Sequence, residues 1–377
     1  MDECRPIFKE YMSVALAAHH RPAFLMNLIP SAGSLPVAKA FICAKLTSVR
    51  KANHYVAQSY QQRFCDAEGL IWVYDKETRT VKPQHPQTTA VMMHLYTTET
   101  EGGEKSDILE REVFAPLDGG ILPLIKRWVE PDYRIPENEI PPMSYYLAFQ
   151  HARVPRTLEM FRELGEKMHV EFIKQMASDK NEIDKAFGDI AEKAPPEVGV
   201  TREKVQEWFA NFDKHCELKL KDEFVLRTTI MQNVPNYYET FVKMHWSVVE
   251  APRDSFFITC DAPVVSFTRD PYGQPNAYLL GCGTAYPEFE MRFPLSPTVC
   301  VLARKVKGQP RIKCGSKKVD EFNYMAALIA ERYIFSHCKS AKVMSLLERC
   351  ARTRGKPKID DEYVRRRMAY ENQHGIV

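Results

Sequence analysis

The stretch FFITCDAPVVSF, residues 256–267, decides the fold class, because two β-type runs flank a charged residue and a proline. Aromatic and β-branched residues favour strands, and Asp261 with Pro263 favours a turn between them. Two further β-type runs, HWSVVEA (245–251) and FPLSPTVCVLARK (293–305), lie on either side. The middle of the chain, before these runs, has helical periodicity instead. Together the patterns predict an α+β fold, with a helical middle packed on a small, mostly antiparallel sheet.

Helical spacing is clearest in two segments of the middle. In DILEREVFAPLDGGILPLIKRW (107–128), apolar residues recur every three or four positions, while Pro116 and Gly119–Gly120 predict a kink or a division. MSYYLAFQHARV (143–154) predicts a helix that Pro155 ends or bends.

Three more helices are predicted in other segments. Residues 157–177 predict a long amphipathic helix. Residues 54–64 predict a helix that begins near Asn53, a favourable capping residue. Residues 317–335 predict a helix that carries Tyr333 on its apolar face.

Composition places the protein among globular proteins. Of 377 residues, 45% are hydrophobic and 27% charged, and the net charge of +3 predicts no general attraction to nucleic acid. The ten cysteines form no CxxC pair, so free thiols in a reducing, cytoplasmic compartment are expected. The acidic opening MDEC argues against a transit peptide. No stretch reaches the roughly 20 apolar residues that a membrane span needs.

The chain is predicted to have three parts. Residues 1–50 form an N-terminal extension, whose order is left open, and residues 51–338 form one domain. Residues 339–377 form a basic C-terminal tail that includes Arg365, Arg366 and Arg367. Such a tail either contacts nucleic acid or an acidic membrane surface, or is simply solvated; it lacks the interleaved aromatic residues of many nucleic-acid sites.

His54 is the first candidate for chemistry, within ANHYVAQSYQQRF (52–64). Histidine is suited to act as a general base or as a metal ligand. The alternative is a histidine that caps or packs against the start of the predicted helix.

Gln150 and Arg153 are the second candidate. Because they are three residues apart, they share one face of the predicted helix. An amide beside a planar guanidinium fork is suited to hold a carboxylate or a phosphate. The alternative is an arginine that forms an ion pair with a neighbouring helix, through Asp118 or Glu112.

Asp261 is the third candidate, because a carboxylate among Phe, Ile and Val is costly unless it is hydrogen-bonded, paired or used. It is suited to act as a general acid or base or as a cation ligand. The alternative is a turn residue whose side chain binds the backbone ahead of Pro263. The sequence has no GxxxxGK[ST], HExxH or GxSxG motif, so no motif assigns a reaction.

Several motifs in one order carry a family resemblance. NHYVAQSYQQRF (53–64), FQHARVPRT (149–157) and FFITCDAPVVSF are similar to the motifs of the domain of unknown function 4238 family. The resemblance covers roughly residues 53–338. The chain departs from the family pattern by an alanine for proline at Ala57 and by Cys260 and Ala262 beside the aspartate. Asp118 stands where a glutamate is expected.

The resemblance implies a shared polar cluster rather than a reaction. The cluster would contain His54, Gln58, Gln150, Arg153 and Asp261, with Asp118 as its second carboxylate. A base, carboxylates and an anion clamp are the usual components of a hydrolytic site.

Two functions are compatible with this cluster. The first is a hydrolase or nuclease-like phosphodiesterase that acts on a small phosphorylated or nucleotide-type ligand. His54, Asp261 and Asp118 would be catalytic or bind a divalent cation, while Gln58, Gln150 and Arg153 would bind substrate. The second is a non-catalytic binding module, in defence or stress response, in which these residues form a structural polar network.

Overall fold

The computed structural model describes residues 52–99, 104–194, 199–269, 284, 286–351 and 359–373. It confirms the predicted α+β fold. The chain divides into two compact units. The larger contains the described residues of Ser34–Phe161 and Asp222–Lys358, and the smaller contains those of Arg162–Lys221 and Ile359–Val377. The predicted extension, residues 1–50, lies outside the described residues.

All described strands belong to the larger unit. In chain order they are β1 Ala52–His54, β2 Ile71–Asp75, β3 Val81–Gln84, β4 Val91–Met93, β5 Thr98–Glu99, β6 Lys105–Ser106, β7 His245–Glu250, β8 Thr259–Cys260, β9 Val265–Phe267, β10 Glu290–Ser296, β11 Val299–Arg304, β12 Arg311–Lys313 and β13 Tyr333–Ser336.

The strands form two main sheets and two short ribbons. One sheet has the order β12-β7-β11-β10-β9, the other β3-β2-β13-β8, and the ribbons are β1-β4 and β5-β6. The described pairings are antiparallel, apart from the parallel pair β12 and β7. The predicted mostly antiparallel character is therefore confirmed, although the strands are shared between several sheets.

The described α-helices, in chain order, are α1 Gln58–Gln61, α2 Ala115–Gly120, α3 Leu122–Trp128, α4 Ile140–Ala152, α5 Pro155–Met176, α6 Lys180–Lys193, α7 Arg202–Ala210, α8 Phe212–His215, α9 Asp222–Thr228, α10 Val234–Val242, α11 Ser316–Ile329, α12 Ala341–Cys350 and α13 Asp361–Gln373. A π-helical turn over Glu110–Phe114 leads into α2, and a second over Thr229–Asn233 leads into α10.

Proline and glycine divide the helices where the sequence predicts. The segment from residue 107 is split at Ile121, directly after Gly119–Gly120. Helix α4 ends before Pro155, which begins α5, because proline lacks the N–H that would continue the hydrogen-bond ladder.

Two helix predictions are wrong in part. Asn53 does not cap a helix; it lies in β1, where its buried side-chain oxygen accepts the N–H of Tyr96 at 3.4 Å. Helix α1 begins only at Gln58, without a side-chain cap. The helix predicted to residue 335 ends at Ile329, and Tyr333 begins β13. Pairing with two neighbouring strands overrides the local helical spacing there.

The smaller unit is helical in its described residues. Ile173 of α5, Ile183 of α6 and Phe209 of α7 pack together in its core. The predicted tail contributes α12 to the larger unit and α13 to the smaller one. Its residues Arg352, Arg354, Lys356 and Lys358 lie outside the described residues.

The N-terminus of α6 provides a test of local stability. The Asp179 carboxylate accepts the backbone N–H groups of Asn181 and Glu182 at 2.8 and 3.3 Å. Asp179→Ala leaves these groups without that acceptor, so we expect a loss of about 1 kcal/mol in the free energy of unfolding of the smaller unit. Native-state hydrogen exchange of the α6 backbone amides at a series of urea concentrations measures it. Ser178→Ala, at the exposed neighbouring position, is the control and should change stability by less than half as much.

Candidate functional site

Helix α4 carries three polar side chains on one face. Tyr146, Gln150 and Arg153 are spaced four and three residues apart, which places them on the same side of the helix. All three are at most 2% exposed. Most polar groups buried this deeply have partners inside the protein; the Tyr146 hydroxyl has none among the described residues.

Arg153 finds its partners in Asp118 and Gln150. Its Nη1 donates to Asp118 Oδ2 at 3.1 Å, and its Nη2 donates to Asp118 Oδ1 at 2.7 Å and to Gln150 Oε1 at 2.5 Å. This is a bidentate ion pair between α2 and the C-terminus of α4. Burial opposes the charge on Arg153, but the Asp118 carboxylate raises the pKa of the guanidinium above its ordinary value.

Two further contacts tie this group to the surrounding chain. Gln150 Nε2 donates to the carbonyl of Tyr55 at 2.8 Å, and Tyr96 Oη donates to the carbonyl of Arg153 at 3.0 Å. The guanidinium also lies over the Phe114 ring, 5.2 Å from its centroid. We call Asp118, Gln150 and Arg153 the arginine cluster. Its hydrogen bonds and ring contact link α4 to α2 and to the chain at Tyr55, Tyr96 and Phe114.

Asp261 is engaged separately, by the backbone that precedes and begins β13. Its Oδ1 accepts the N–H of Glu331 at 2.9 Å, and its Oδ2 accepts those of Arg332 and Tyr333 at 2.7 and 2.8 Å. The carboxyl group is 4% exposed. Burial raises its pKa to about 6, against the three N–H donors, which lower it. Asp261 therefore binds backbone, but far along the chain rather than ahead of Pro263.

A second buried charge lies within electrostatic range of Asp261. Lys76 is 4% exposed, and its Nζ donates to the carbonyls of Ala327 and Ala330 at 3.0 and 2.6 Å. Burial lowers the pKa of Lys76, and Asp261 opposes this effect. These carbonyls belong to the end of α11, where carbonyl groups lack partners within the helix.

The hydrogen bond of His54 goes to neither group. It is the last residue of β1, half-buried, and its Nε2 lies 3.1 Å from the carbonyl of Gln87. Among the described residues, no hydrogen bond joins His54 to the arginine cluster or to Asp261. Nor does it cap α1, which begins four residues later without a side-chain cap.

Gln58, the remaining predicted residue, lines a cavity of about 370 Å³ in the larger unit. We call it the glutamine cavity. Its polar wall is formed by Gln58, Gln62, Asp66, His85 and Gln87. His54 contacts this wall through the backbone carbonyl of Gln87.

The structure thus brings together three of the six predicted residues, Asp118, Gln150 and Arg153. Tyr55 lies between this group and Asp261: its carbonyl binds Gln150, and Asp261 is one cause of the raised pKa of its phenol, after burial. Tyr55, Lys76 and Tyr96 were not predicted from the sequence. Tyr146 had a signal, since it precedes Gln150 by four residues on one helix; Lys76 had none, because its partners lie some 250 residues away.

Neither a metal centre nor a membrane segment is found in the residues that the structure describes. No three or more His, Cys, Asp or Glu side chains among them are grouped so that they could hold a metal ion. Among the same residues, no helix has both the length and the apolar character that crossing a bilayer requires.

Comparison with known proteins gives a family and no characterised relative. No curated protein matches the chain, and no solved structure matches it. A family model described as "Protein of unknown function (DUF4238)" matches residues 52–340, which include the arginine cluster, Asp261 and the glutamine cavity. The match covers most of the sequence, so the chain belongs to this family of proteins of unknown function.

Proposed function

We propose that this protein is a non-catalytic binding module, in which the arginine cluster and Asp261 stabilise the fold and the glutamine cavity takes a ligand. The observation that carries the proposal is the engagement of the predicted catalytic carboxylates. Both oxygens of Asp118 accept from Arg153, and both oxygens of Asp261 accept backbone N–H groups. Each carboxylate is thus bound by donors of the protein itself instead of being directed at a substrate.

The hydrogen bonding of His54 supports the same proposal. A hydrolytic site needs its base, its carboxylates and its anion clamp around one reacting atom. Here the histidine contacts Gln87, whereas the clamp residue Arg153 is 1% exposed and already neutralised by Asp118. An arginine already paired with a carboxylate has less attraction left for a phosphate. The phosphodiesterase therefore has less support than the binding module.

A hydrolysis assay tests the proposal. We expect the purified protein, incubated with bis(p-nitrophenyl) phosphate and Mg²⁺ or Mn²⁺, to release nitrophenol no faster than buffer with the same metal. His54→Ala should leave both the rate and the melting temperature unchanged, because the ring makes one partly exposed contact. Metal-dependent turnover that His54→Ala abolishes in a protein of unchanged melting temperature would overturn the proposal.

A further inference from the structure

The glutamine cavity has free hydrogen-bonding groups. Gln62, His85 and Gln87 are exposed and Gln58 is half-buried, and none of these four side chains has a protein hydrogen-bond partner within the described part of the chain. A side-chain amide offers two N–H donors and one carbonyl acceptor. Three such amides and an imidazole therefore present both donors and acceptors to whatever enters.

The one carboxylate in the wall is already occupied. Asp66 Oδ1 accepts the N–H groups of Glu68 and Leu70 at 3.2 and 2.9 Å, and Oδ2 accepts Trp72 Nε1 at 3.1 Å. Gly69, with φ of +76°, closes this turn in the left-handed region. Asp66 thus stabilises this turn of the wall, and both of its carboxylate oxygens accept hydrogen bonds from the protein.

The charge of the wall selects against anions. None of the described residues that line the cavity is Lys or Arg, and Asp66 gives the wall a negative charge. A phosphate or carboxylate ligand needs a cationic partner, and it can use only the donor half of each amide. The small phosphorylated ligand expected from the sequence does not fit this wall.

The shape and composition also select against a nucleobase. Bases gain much of their binding energy by stacking on aromatic rings or on arginine. Among the described lining residues no arginine is present, and the one ring is the small, exposed imidazole of His85. A volume of about 370 Å³ lies at the lower end of the roughly 300–1,000 Å³ of ligand pockets. The ligand is therefore small and uncharged, with many groups that both donate and accept.

We propose that the glutamine cavity binds an uncharged saccharide of about one sugar unit through the amides of Gln58, Gln62 and Gln87. Sugar hydroxyl groups both donate and accept, so each amide is used on both sides. This inference rests on the proposed binding function and adds the chemical class of its ligand.

Nuclear magnetic resonance of the full chain, labelled with ¹⁵N in glutamine side chains, tests it. Glucose, galactose, mannose and N-acetylglucosamine are each titrated to tens of millimolar, beside sodium phosphate and adenosine. We expect at least one sugar to shift the Gln58, Gln62 and Gln87 amide signals saturably, while phosphate and adenosine leave them in place. The double variant Gln58→Ala/Gln62→Ala should weaken the fitted Kd about tenfold or more, as expected for the loss of two hydrogen bonds. Gln309→Ala, at an exposed position outside the cavity, should leave the fitted Kd unchanged.

The outcomes separate the two proposals. No shift with any of the four sugars, or sugar binding that the double variant leaves intact, overturns the saccharide site. Shifts of the same amides by phosphate or adenosine alone overturn the ligand class but leave a binding module. Catalysis detected in the hydrolysis assay overturns the module itself, whatever the sugars do.

Discussion

Replacing Asp118 with asparagine is expected to lower the free energy of unfolding of the larger unit by about 3 kcal/mol or more. The reason is the state of its partner. Arg153 is 1% exposed, and an arginine in a protein cannot lose its proton to escape an unfavourable environment. After this substitution the buried guanidinium keeps its charge and has neutral amide oxygens as its side-chain acceptors.

Urea unfolding followed by tryptophan fluorescence measures this loss. Trp128 and Trp246 pack edge to face in the larger unit, with ring centroids 5.6 Å apart, so their signal reports on it. Glu112→Gln is the matched control, because it removes one carboxylate charge from a surface pair with Arg111. An exposed pair of this kind is worth under about 1 kcal/mol. If the two substitutions lower the free energy of unfolding equally, the burial of Arg153 does not increase the stabilisation by its ion pair with Asp118.

Replacing Asp261 with asparagine is expected to cost about 1–3 kcal/mol at neutral pH, since a buried N–H group left without an acceptor costs about that much. Asparagine keeps one acceptor oxygen and turns an N–H₂ group towards backbone N–H donors. The N–H groups of Arg332 and Tyr333, or that of Glu331, would lose their acceptor where β13 begins. Asp254→Asn, at an exposed position, is the control and should change stability by less than about 0.5 kcal/mol.

The difference in free energy of unfolding between the wild type and Asp261→Asn should depend on pH in a definite direction. Burial raises the pKa of Asp261 in the folded protein from 3.8 to about 6, so the folded state binds this proton more tightly than the unfolded state. The resulting stabilisation is complete below about pH 4 and is lost as the pH rises to about 6. The advantage of the wild type over Asp261→Asn should therefore decrease by up to about 3 kcal/mol across this interval and stay constant above it.

Chemical denaturation at a series of pH values compares the two proteins. Using the difference between them removes the contributions of other carboxyl groups. An advantage that instead grows between pH 4 and 6 would mean that the three N–H donors outweigh burial, and that the pKa of Asp261 lies below its ordinary value.

The fold class and much of the helical framework were predictable, because they depend on local chemistry. Pro155 separates α4 from α5 and the glycine pair precedes the break at Ile121, where the sequence predicts them. The errors arose where a contact with a residue distant in the sequence determines the local structure. Asn53 has good capping chemistry but is used by Tyr96, and Tyr333 follows helical spacing but pairs with β2.

The candidate site divides in the same way. Gln150 and Arg153 were predicted to share a helix face, and the two side chains are in contact. The ion pair of Arg153 with Asp118 was one of two alternatives, and it is present. Which alternative applies depends on how α2 packs against α4, and no local pattern gives that. The exposure of Gln58 and the engagement of Asp261 are likewise properties of the packed chain. The catalytic roles predicted for these residues remain predictions.

A double-mutant cycle between Asp118→Asn and Arg153→Met tests most directly whether the arginine cluster serves the fold. Methionine fills part of the space of the arginine stem without its charge, so it removes the demand for a counter-ion. We expect each single variant to be less stable than the wild type, and the double variant to be more stable than additivity predicts by about 2 kcal/mol or more. Groups kept for catalysis behave differently, because their removal often leaves a protein as stable or more stable. Single variants that unfold at or above the urea concentration of the wild type would contradict a structural role for the cluster.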